Sequence, residues 1–231
     1  MTQDEAKLLA AKRAVEFIQD GMNVGLGTGS TATLFIQELG KRVRSEGLRI
    51  RAIATSDASR ALAETLGIPI TNFNETPVLD LNVDGADEVA PGLALIKGGG
   101  GAHLREKIVA SAAKQFIVVA DSTKVVPQLG KFPLPVEVIQ LALPLVERRL
   151  AALGLNPVLR PSKPGHGDPN GPWVTDEGNV ILDCHCGAIP DPNALACELK
   201  KIVGVVEHGL FLNMATLALV AGENGVEELK P

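Results

Sequence analysis

The chain has 231 residues, a net charge of −5, no Tyr and only 3% aromatic residues. An acidic chain with so few aromatic side chains lacks the basic, base-stacking surface of a nucleic-acid-binding protein, so nucleic acid is excluded as a partner. The length accommodates one domain of ordinary size and a smaller second one.

The first predicted element is an amphipathic helix that ends at about Gln19. Thr2 and Glu5 have the spacing of a capping box, which marks a helix start rather than a signal peptide. No apolar run approaches the roughly 20 residues that span a bilayer. Three cysteines are too few for a disulfide framework in a chain of this length. We therefore expect a soluble, cytoplasmic protein with no membrane segment.

A repeated pattern of strand, polar loop and helix follows. Strands are predicted at residues 23–27, 49–55, 78–83 and 116–120, and polar residues come directly after each one. This order predicts an α/β fold with a doubly wound, mostly parallel, Rossmann-like sheet. Ligands of such sheets bind beyond the carboxyl ends of the strands, so the polar loops should lie along one edge.

The loop after the first strand is rich in glycine and hydroxyl groups. With Gly25 and Gly27 it reads G-x-G-x-G, but Ser30 stands where a dinucleotide fingerprint has Gly or Ala, and no Walker lysine follows. Hydroxyls and helix N–H groups at this position fit a small phosphate. The alternative is an ordinary helix start that is capped by Ser30 or Thr31.

Residues 84–107 carry further candidates. Asp84 and Asp87 follow the third strand, and the four glycines after Lys97 leave backbone N–H groups open to an anion before a helix begins. Taken singly, these features have ordinary explanations: a turn, a flexible linker and a solvated helical glutamate. Together they predict a site with two acids, a lysine, a backbone cradle and a further acid, Glu106.

Glu106 lies about one turn into the helix that follows the glycines. The residues three and four positions away are Ala102, His103, Val109 and Ala110, which are mostly small or apolar. We therefore expect a partly buried carboxylate. Burial raises the pKa of a carboxylate towards the range in which it takes and returns a proton at neutral pH.

The second half of the chain has a different pattern. From residue 131 the predicted order is β-α-β-β-α-β, which is typical of a small ferredoxin-like α+β domain. The predicted domains are therefore 1–130 with 208–231, and an inserted domain at 131–207. The Pro- and Gly-rich segment 161–172 is expected to be a surface loop without structure of its own. Residues 216–220 are expected to return to the first sheet as its last strand.

Metal and triad chemistry receive no support from the sequence. In a strand, Cys184 and Cys186 would lie on one face and His185 on the other, so one metal could not take all three. The spacing to Cys197 matches no zinc pattern, and no Ser-His-Asp or Cys-His pairing stands in the motif-bearing loops. We expect no metal and no cofactor.

Five motifs carry a resemblance to a known family. They are GTGST at 27–31, DGADE at 84–88, KGGGGA at 97–102 with REK at 105–107, ADSTK at 120–124 and KFPLPVEV at 131–138. In order and spacing the chain resembles ribose-5-phosphate isomerase type A over nearly its whole length. The loop 161–172 is longer than is typical of the family, and His103-Leu104 replaces smaller or more polar residues.

The resemblance implies a cofactor-free aldose–ketose isomerase of the pentose phosphate pathway that interconverts ribose 5-phosphate and ribulose 5-phosphate as a homodimer or homotetramer. It implies that Glu106 is the base, that Lys97 stabilises the oxyanion, and that Asp87 with Asp84 assists ring opening. The implied substrate-binding residues are Thr28, Gly29, Ser30, Thr31, Asp84, Gly85, Ala86, Asp87, Lys97, Gly98, Gly99, Gly100 and Lys124.

Two other classes stay open on the sequence. A sugar-phosphate deaminase or an acyl-CoA transferase could use a similar α/β scaffold, and the transferase would form a covalent glutamyl-CoA ester. A non-catalytic sugar-phosphate sensor would keep the cradle and bind without turnover, usually with an attached DNA-binding domain, for which this chain has no room.

Overall fold

The computed structural model describes residues 1–163 and 168–231, which form two compact units. Unit 1 comprises Met1–Ala86, Arg105–Val125 and Asn213–Pro231. Unit 2 comprises Asp87–Leu104 and Val126–Leu212. The predicted domains differ from these units chiefly at residues 87–104, which lie in unit 2 because they contribute to a small sheet there.

The helices and strands among the described residues are as follows. The helices are α1 Gln3–Val15, α2 Ser30–Glu46, α3 Asp57–Thr65, α4 His103–Ser111, α5 Leu143–Ala152 and α6 Pro192–Lys200. The strands are β1 Asn23–Leu26, β2 Arg51–Ala54, β3 Leu79–Gly85, β4 Glu88–Ala90, β5 Ala94–Ile96, β6 Ala113–Asp121, β7 Leu134–Val138, β8 Pro157–Leu159, β9 Val180–Cys184, β10 Val205–His208, β11 Leu210–Phe211, β12 Leu217–Gly222 and β13 Gly225–Leu229. None of these helices is long and apolar enough to cross a membrane.

Unit 1 is built on a sheet with the strand order β13-β12-β6-β3-β1-β2. All neighbouring strands pair in parallel except β12 and β13, which pair antiparallel. The predicted doubly wound α/β sheet is confirmed. The strand β12 is also where the sequence predicted a return to the sheet, but β13 was not predicted.

Two helices of unit 1 show how local sequence sets their bounds. Thr2 and Glu5 form the predicted capping box of α1. The helix α2 continues through Gly40, which is required for packing rather than for termination. A Cβ on Gly40 would lie 2.8 Å from Cβ of Leu66. The helix ends instead at Glu46, where Gly47 takes the left-handed conformation that glycine favours.

Unit 2 contains an antiparallel sheet with the order β10-β7-β9-β8, and α5 and α6 connect its strands in the predicted β-α-β-β-α-β order. A second antiparallel sheet, β11-β5-β4, was not predicted. Residues 164–167 of the predicted loop lie outside the described residues. The two ends of that loop are paired, since Pro161 bridges Pro172 and the Ser162 N–H donates to the Gly171 carbonyl at 3.0 Å.

Candidate active site

In unit 1, Gly25 of β1 and Gly27, which follows β1, leave space for polar side chains of β3. Gly25 pairs with Asn82 in the β1–β3 register, and Gly27 follows two residues later on the same face. A Cβ on Gly25 would overlap Oδ1 of Asn82, and a Cβ on Gly27 would overlap the carboxylate of Asp84. The G-x-G pattern is therefore needed for close packing between two strands.

Asp84 is completely buried and is held by backbone donors. Its Oδ1 accepts the Thr28 N–H at 3.0 Å and the Gly85 N–H at 2.7 Å. Asp84 lies within β3, which extends to Gly85, rather than after the strand as predicted. The structure thus brings together three residues of the predicted site, namely Thr28, Asp84 and Gly85.

A cluster of hydroxyl groups surrounds the side chain of Thr28. Its Oγ1 lies 2.7 Å from Oγ1 of Thr55 and donates to Oγ of Ser56 at 2.8 Å. Ser56 donates to Ser59 at 3.0 Å, and Ser59 donates to the Gly27 carbonyl at 2.8 Å. Sequence reasoning did not single out these partners, although they stand directly after the second strand, where a parallel sheet collects polar side chains.

The start of α2 has no side-chain cap. Gly29 is the N-cap residue with φ 104°, so the alternative, a helix start capped by Ser30 or Thr31, is wrong. Gly29 and Ser30 are exposed and Thr31 is half-buried. Backbone N–H groups at such a helix start favour an anion.

Glu106 lies in the first turn of α4 and is only 3% exposed, so it is more completely buried than predicted. Val109 and Ala110, which share its predicted face, are also buried. Val109 belongs to an apolar cluster with Ile53 and Leu79 of the sheet. The helix face that carries Glu106 therefore packs onto the sheet of unit 1.

Lys124 ends a short 3-10 helix, Ser122–Lys124, that follows β6. Asp121 caps this turn by accepting the Thr123 N–H at 3.1 Å. Burial alone would raise the pKa of Asp121, but hydrogen bonds from Thr123 and Gln3, together with the charge of Lys124, hold the pKa below its ordinary value. Lys124 itself is only half-buried, so its ammonium is accessible to solvent.

In unit 2, Lys97 is a buried lysine with 2% exposure. Its Nζ lies 5.4 Å from the centre of the Phe211 ring, within the range of a cation–π contact. Its backbone N–H donates to the Gly209 carbonyl at 2.9 Å. A buried ammonium is costly, so its presence marks Lys97 as a candidate for function.

The glycine segment after Lys97 forms a tight turn. The Gly101 N–H donates to the Gly98 carbonyl at 2.9 Å, and both glycines have positive φ, 107° at Gly98 and 80° at Gly101. The Gly99 N–H donates to Oδ2 of Asp87 at 2.7 Å. The structure thus joins two predicted site residues of unit 2, Asp87 and Gly99. The segment is an ordered turn and not the flexible linker that was the alternative.

Ala86 and Gly100 are the remaining residues of the predicted substrate-binding site. Ala86 is half-buried at the end of one segment of unit 1, and Gly100 is exposed in the glycine turn of unit 2. Among the residues that the structure describes, no group of three or more His, Cys, Asp or Glu side chains is placed to hold a metal ion.

Comparison with known proteins identifies the family. The sequence model described as ribose 5-phosphate isomerase A (phosphoriboisomerase A) matches residues 51–225. A ribose-5-phosphate isomerase A from Roseiflexus castenholzii is 52% identical over 223 residues, with 96% of this chain and 93% of that protein covered.

This chain belongs to the ribose 5-phosphate isomerase A family.

Solved structures of ribose 5-phosphate isomerases agree with this assignment over the whole chain. The enzyme from Methanocaldococcus jannaschii has a TM-score of 0.94 and 44% identity, with 100% of both chains covered. A D-ribose-5-phosphate isomerase in complex with phospho-erythronic acid has a TM-score of 0.95 and 39% identity, again with 100% of both chains covered. The resemblance seen in the five motifs is thereby confirmed.

Some contacts in the chain were missed by sequence reasoning. Arg160 is 7% exposed and pairs with Asp183 through two hydrogen bonds of 2.8 and 2.5 Å. Glu88, the last residue of the DGADE motif, accepts the N–H groups of Gly130 and Phe132 at 2.7 and 2.6 Å. Glu88 therefore has a structural role within unit 2.

A second buried polar pair lies in unit 2. His103 and Glu137 are 0% and 1% exposed, and Nε2 of His103 lies 3.8 Å from Oε2 of Glu137. The other carboxylate oxygen accepts hydrogen bonds from Thr175 at 2.9 Å and Asn179 at 3.0 Å. Burial raises the pKa of Glu137, and these two hydrogen bonds oppose the rise only in part.

Proposed function

We propose that this chain is an aldose–ketose isomerase that interconverts D-ribose 5-phosphate and D-ribulose 5-phosphate through an enediolate, in the non-oxidative branch of the pentose phosphate pathway. Its family membership supports an isomerase. The complex of a related isomerase with phospho-erythronic acid supports a sugar phosphate as the ligand. The main support for the proposal is that a base, Glu106, and an ammonium group, that of Lys97, are both buried and both stand in the family's motifs.

In the proposed reaction, Glu106 removes the proton from C2 of the open-chain aldose and returns it to C1. The carboxylate must be shielded from water for the same proton to be returned, and the 3% exposure of Glu106 supports this requirement. Proton transfer by a positioned side chain typically contributes about 10²–10⁴-fold to the rate.

Lys97 stabilises the negative charge that develops on the enediolate oxygens. A positive charge that is fixed before the reaction costs no reorganisation in the transition state. The burial of Lys97 and its contact with Phe211 support a fixed position for this ammonium. The reaction then needs neither metal nor cofactor, because Lys97 supplies the charge that a metal ion would otherwise provide.

The two aspartates hold the sugar and assist ring opening. Asp84 is oriented by the N–H groups of Thr28 and Gly85, and Asp87 is oriented by that of Gly99. Carboxylates fixed in this way accept hydrogen bonds from sugar hydroxyls in a defined direction. We assign Asp87 to proton transfer during opening of the furanose ring, with Asp84 as its partner.

We assign the binding of the phosphate to groups that carry a positive charge or offer a hydrogen-bond donor. In unit 1, the exposed start of α2 offers backbone N–H groups and the hydroxyls of Ser30 and Thr31, and Lys124 supplies a positive charge. In unit 2, the exposed Gly100 offers a backbone N–H to the sugar phosphate. The anchor supplies binding energy at a distance from the reacting carbons, which can be used to hold C1 and C2 in place.

We further propose a cytoplasmic homodimer or homotetramer. The cysteines Cys184, Cys186 and Cys197 are free thiols, in keeping with a reducing compartment. Leu141 and Val203 of unit 2 are 94% and 83% exposed, and we propose that a second copy covers them. Light scattering coupled to gel filtration measures the number of copies.

A coupled assay of ribulose 5-phosphate formation from ribose 5-phosphate tests the proposed function. We expect turnover by the purified chain. Binding of ribose 5-phosphate without turnover would instead support the sensor, and trapping of a glutamyl-CoA ester would support the transferase.

A further inference from the structure

The glycine turn of unit 2 is held by hydrogen bonds from Arg160, which lies outside the family motifs. Nη1 of Arg160 donates to the Gly98 carbonyl at 2.8 Å and lies 3.4 Å from the Gly99 carbonyl. The other two nitrogens of the guanidinium, Nε and Nη2, donate to the two carboxylate oxygens of Asp183. Because both sides of the planar group are fixed, Arg160 holds the two carbonyl groups in one direction.

The direction of a carbonyl group sets the direction of the next N–H group. In a trans peptide the C=O and N–H bonds point to opposite sides, and the described residues contain no cis peptide bond. The Gly98 carbonyl points to Arg160, and the N–H of the same peptide, on Gly99, donates to Asp87. Arg160 and Asp87 therefore lie at opposite edges of this peptide group, across its C–N bond.

The next peptide follows the same rule. The Gly99 carbonyl faces Arg160, so the Gly100 N–H points away from it. Gly100 is exposed, and within the described part of the chain its N–H has no backbone acceptor. That N–H is thus available to an anionic ligand on the side of the turn where Asp87 lies.

Side chains pack closely against the glycine turn. A Cβ on Gly98 would lie 2.9 Å from His103, a Cβ on Gly99 would lie 2.7 Å from Asp87, and a Cβ on Gly101 would overlap the Trp173 indole. Trp173 is itself tied to Arg160, since the backbone N–H of Trp173 donates to the Arg160 carbonyl at 2.8 Å. The turn is therefore packed on several sides, and Arg160 is its hydrogen-bonding support.

We propose that Arg160, held by Asp183, is a positioning residue for sugar-phosphate binding. It sets the two peptide planes that aim the Gly100 N–H at the ligand and hold Asp87 in place. This inference rests on the proposed isomerase function. It assigns a task to the inserted unit, which supplies Arg160 and Asp183 from β8 and β9 and their flanking residues.

The test compares Arg160→Lys and Arg160→Gln with a matched control. Arg42 uses the same pattern in unit 1, because it donates to Glu46 and to the carbonyls of Val15 and Ile18. For both Arg160 variants we expect KM for ribose 5-phosphate to rise about 10-fold or more, the effect typical of losing a hydrogen bond to a charged group. We expect kcat to fall much less, and Arg42→Gln to change neither constant. A folded Arg160→Gln enzyme with the wild-type KM would overturn the proposal.

A second measurement needs no variant of Arg160. In wild-type protein labelled with ¹⁵N-glycine, the Gly100 amide signal, assigned with Gly100→Ala, should shift on addition of ribose 5-phosphate. An unmoved Gly100 signal in the presence of turnover would overturn the positioning role and leave the isomerase function intact. Absence of turnover in the wild type would instead remove the proposed function.

Discussion

Gly27 and Asp84 occupy a shared space between β1 and β3: the Asp84 carboxylate lies where a side chain at position 27 would begin. The same carboxylate accepts the N–H of Thr28, the residue that follows Gly27. The glycine therefore allows Asp84 to be buried and oriented at the same time. This relationship gives the first prediction.

Gly27→Ala should displace Asp84 and impair the reaction more than the fold. The φ of Gly27 is one that alanine can adopt, so the added methyl acts through the clash with Asp84. Overpacking typically costs about 1–3 kcal/mol of stability, and misplacing a functional group by about 1 Å can cost about 10² in rate. Isomerase kinetics and thermal unfolding measure both effects. Gly222→Ala is the control, because its nearest neighbour is 3.5 Å away.

Glu106→Gln should abolish turnover without preventing binding. The amide keeps the shape of the side chain but cannot take the C2 proton, so kcat should fall by about 10²–10⁴. Ribose 5-phosphate should still raise the unfolding temperature, because any ligand of the native state does so. Exchange of the C2 proton in deuterated water should disappear. The control is Glu64→Gln, on an exposed position of α3. If Glu106→Gln isomerises well, the base is another residue, and Asp84 or Asp87 is next in line.

Lys97→Met should lower kcat far more than it raises KM. Methionine keeps the apolar contact with Phe211 but removes the charge that stabilises the enediolate. Loss of such a preorganised partner typically costs about 10²–10³ in kcat. The matched control is Lys114→Met, since Lys114 is exposed and pairs with Asp80 at 2.8 Å. An unchanged kcat with a much higher KM would make Lys97 a phosphate ligand.

Chelator treatment should leave the activity unchanged. Lys97 supplies the positive charge that a metal ion would give to the enediolate. The measurement is the rate before and after dialysis against a chelator. Loss of turnover that one divalent cation restores would contradict both this prediction and the role assigned to Lys97.

The stability of the wild type relative to Glu137→Gln should fall as the pH rises above the ordinary glutamate pKa of 4.5. Burial raises the pKa of Glu137 in the folded chain. Below the ordinary pKa both states hold the proton. At higher pH the unfolded chain ionises first, so the free energy of unfolding decreases until the pH passes the raised pKa. Urea unfolding of both proteins between about pH 2 and 8 measures the difference.

Asp80→Asn provides a control of opposite sign. The pKa of Asp80 is lowered, first by the Asn23 N–H and then by Lys114. Its contribution to stability is therefore present above the ordinary aspartate pKa of 3.8 and is lost as the pH falls. A Glu137 curve that runs in the same direction as the Asp80 curve would show that burial does not dominate at Glu137.

The sequence predicted β1, β2, β3, β6 and β12 of the unit 1 sheet, because an apolar composition is visible over four or more residues. It missed β4, β5 and β11, which are three, three and two residues long. It also missed β13, where Glu227 and Glu228 are exposed and leave little apolar signal. Short or polar strands are set by pairing with neighbours that a local pattern does not contain.

The candidate site, like the fold, was predicted only in part from the sequence. Acids, lysine and glycines that are close in the chain were visible as motifs, and the burial of Glu106 followed from helical spacing. Arg160 could not be found in this way, because its carboxylate partner is 23 residues away and Gly98 is 62 residues away. Its contacts depend on the pairing of β8 with β9, where Leu159 lies opposite Leu182.

The hydroxyl cluster at Thr28 has a definite polarity. A hydroxyl can donate one hydrogen bond, and the Thr28 hydroxyl donates to Ser56. Ser56 in turn donates to Ser59, and Ser59 donates to the Gly27 carbonyl. The Thr28 N–H is likewise committed to Asp84. Thr28 can therefore offer a ligand only lone pairs. Thr28 would accept a hydrogen bond from a sugar hydroxyl. A phosphate dianion has no O–H to donate, so residues near Thr28 must supply its hydrogen-bond donors.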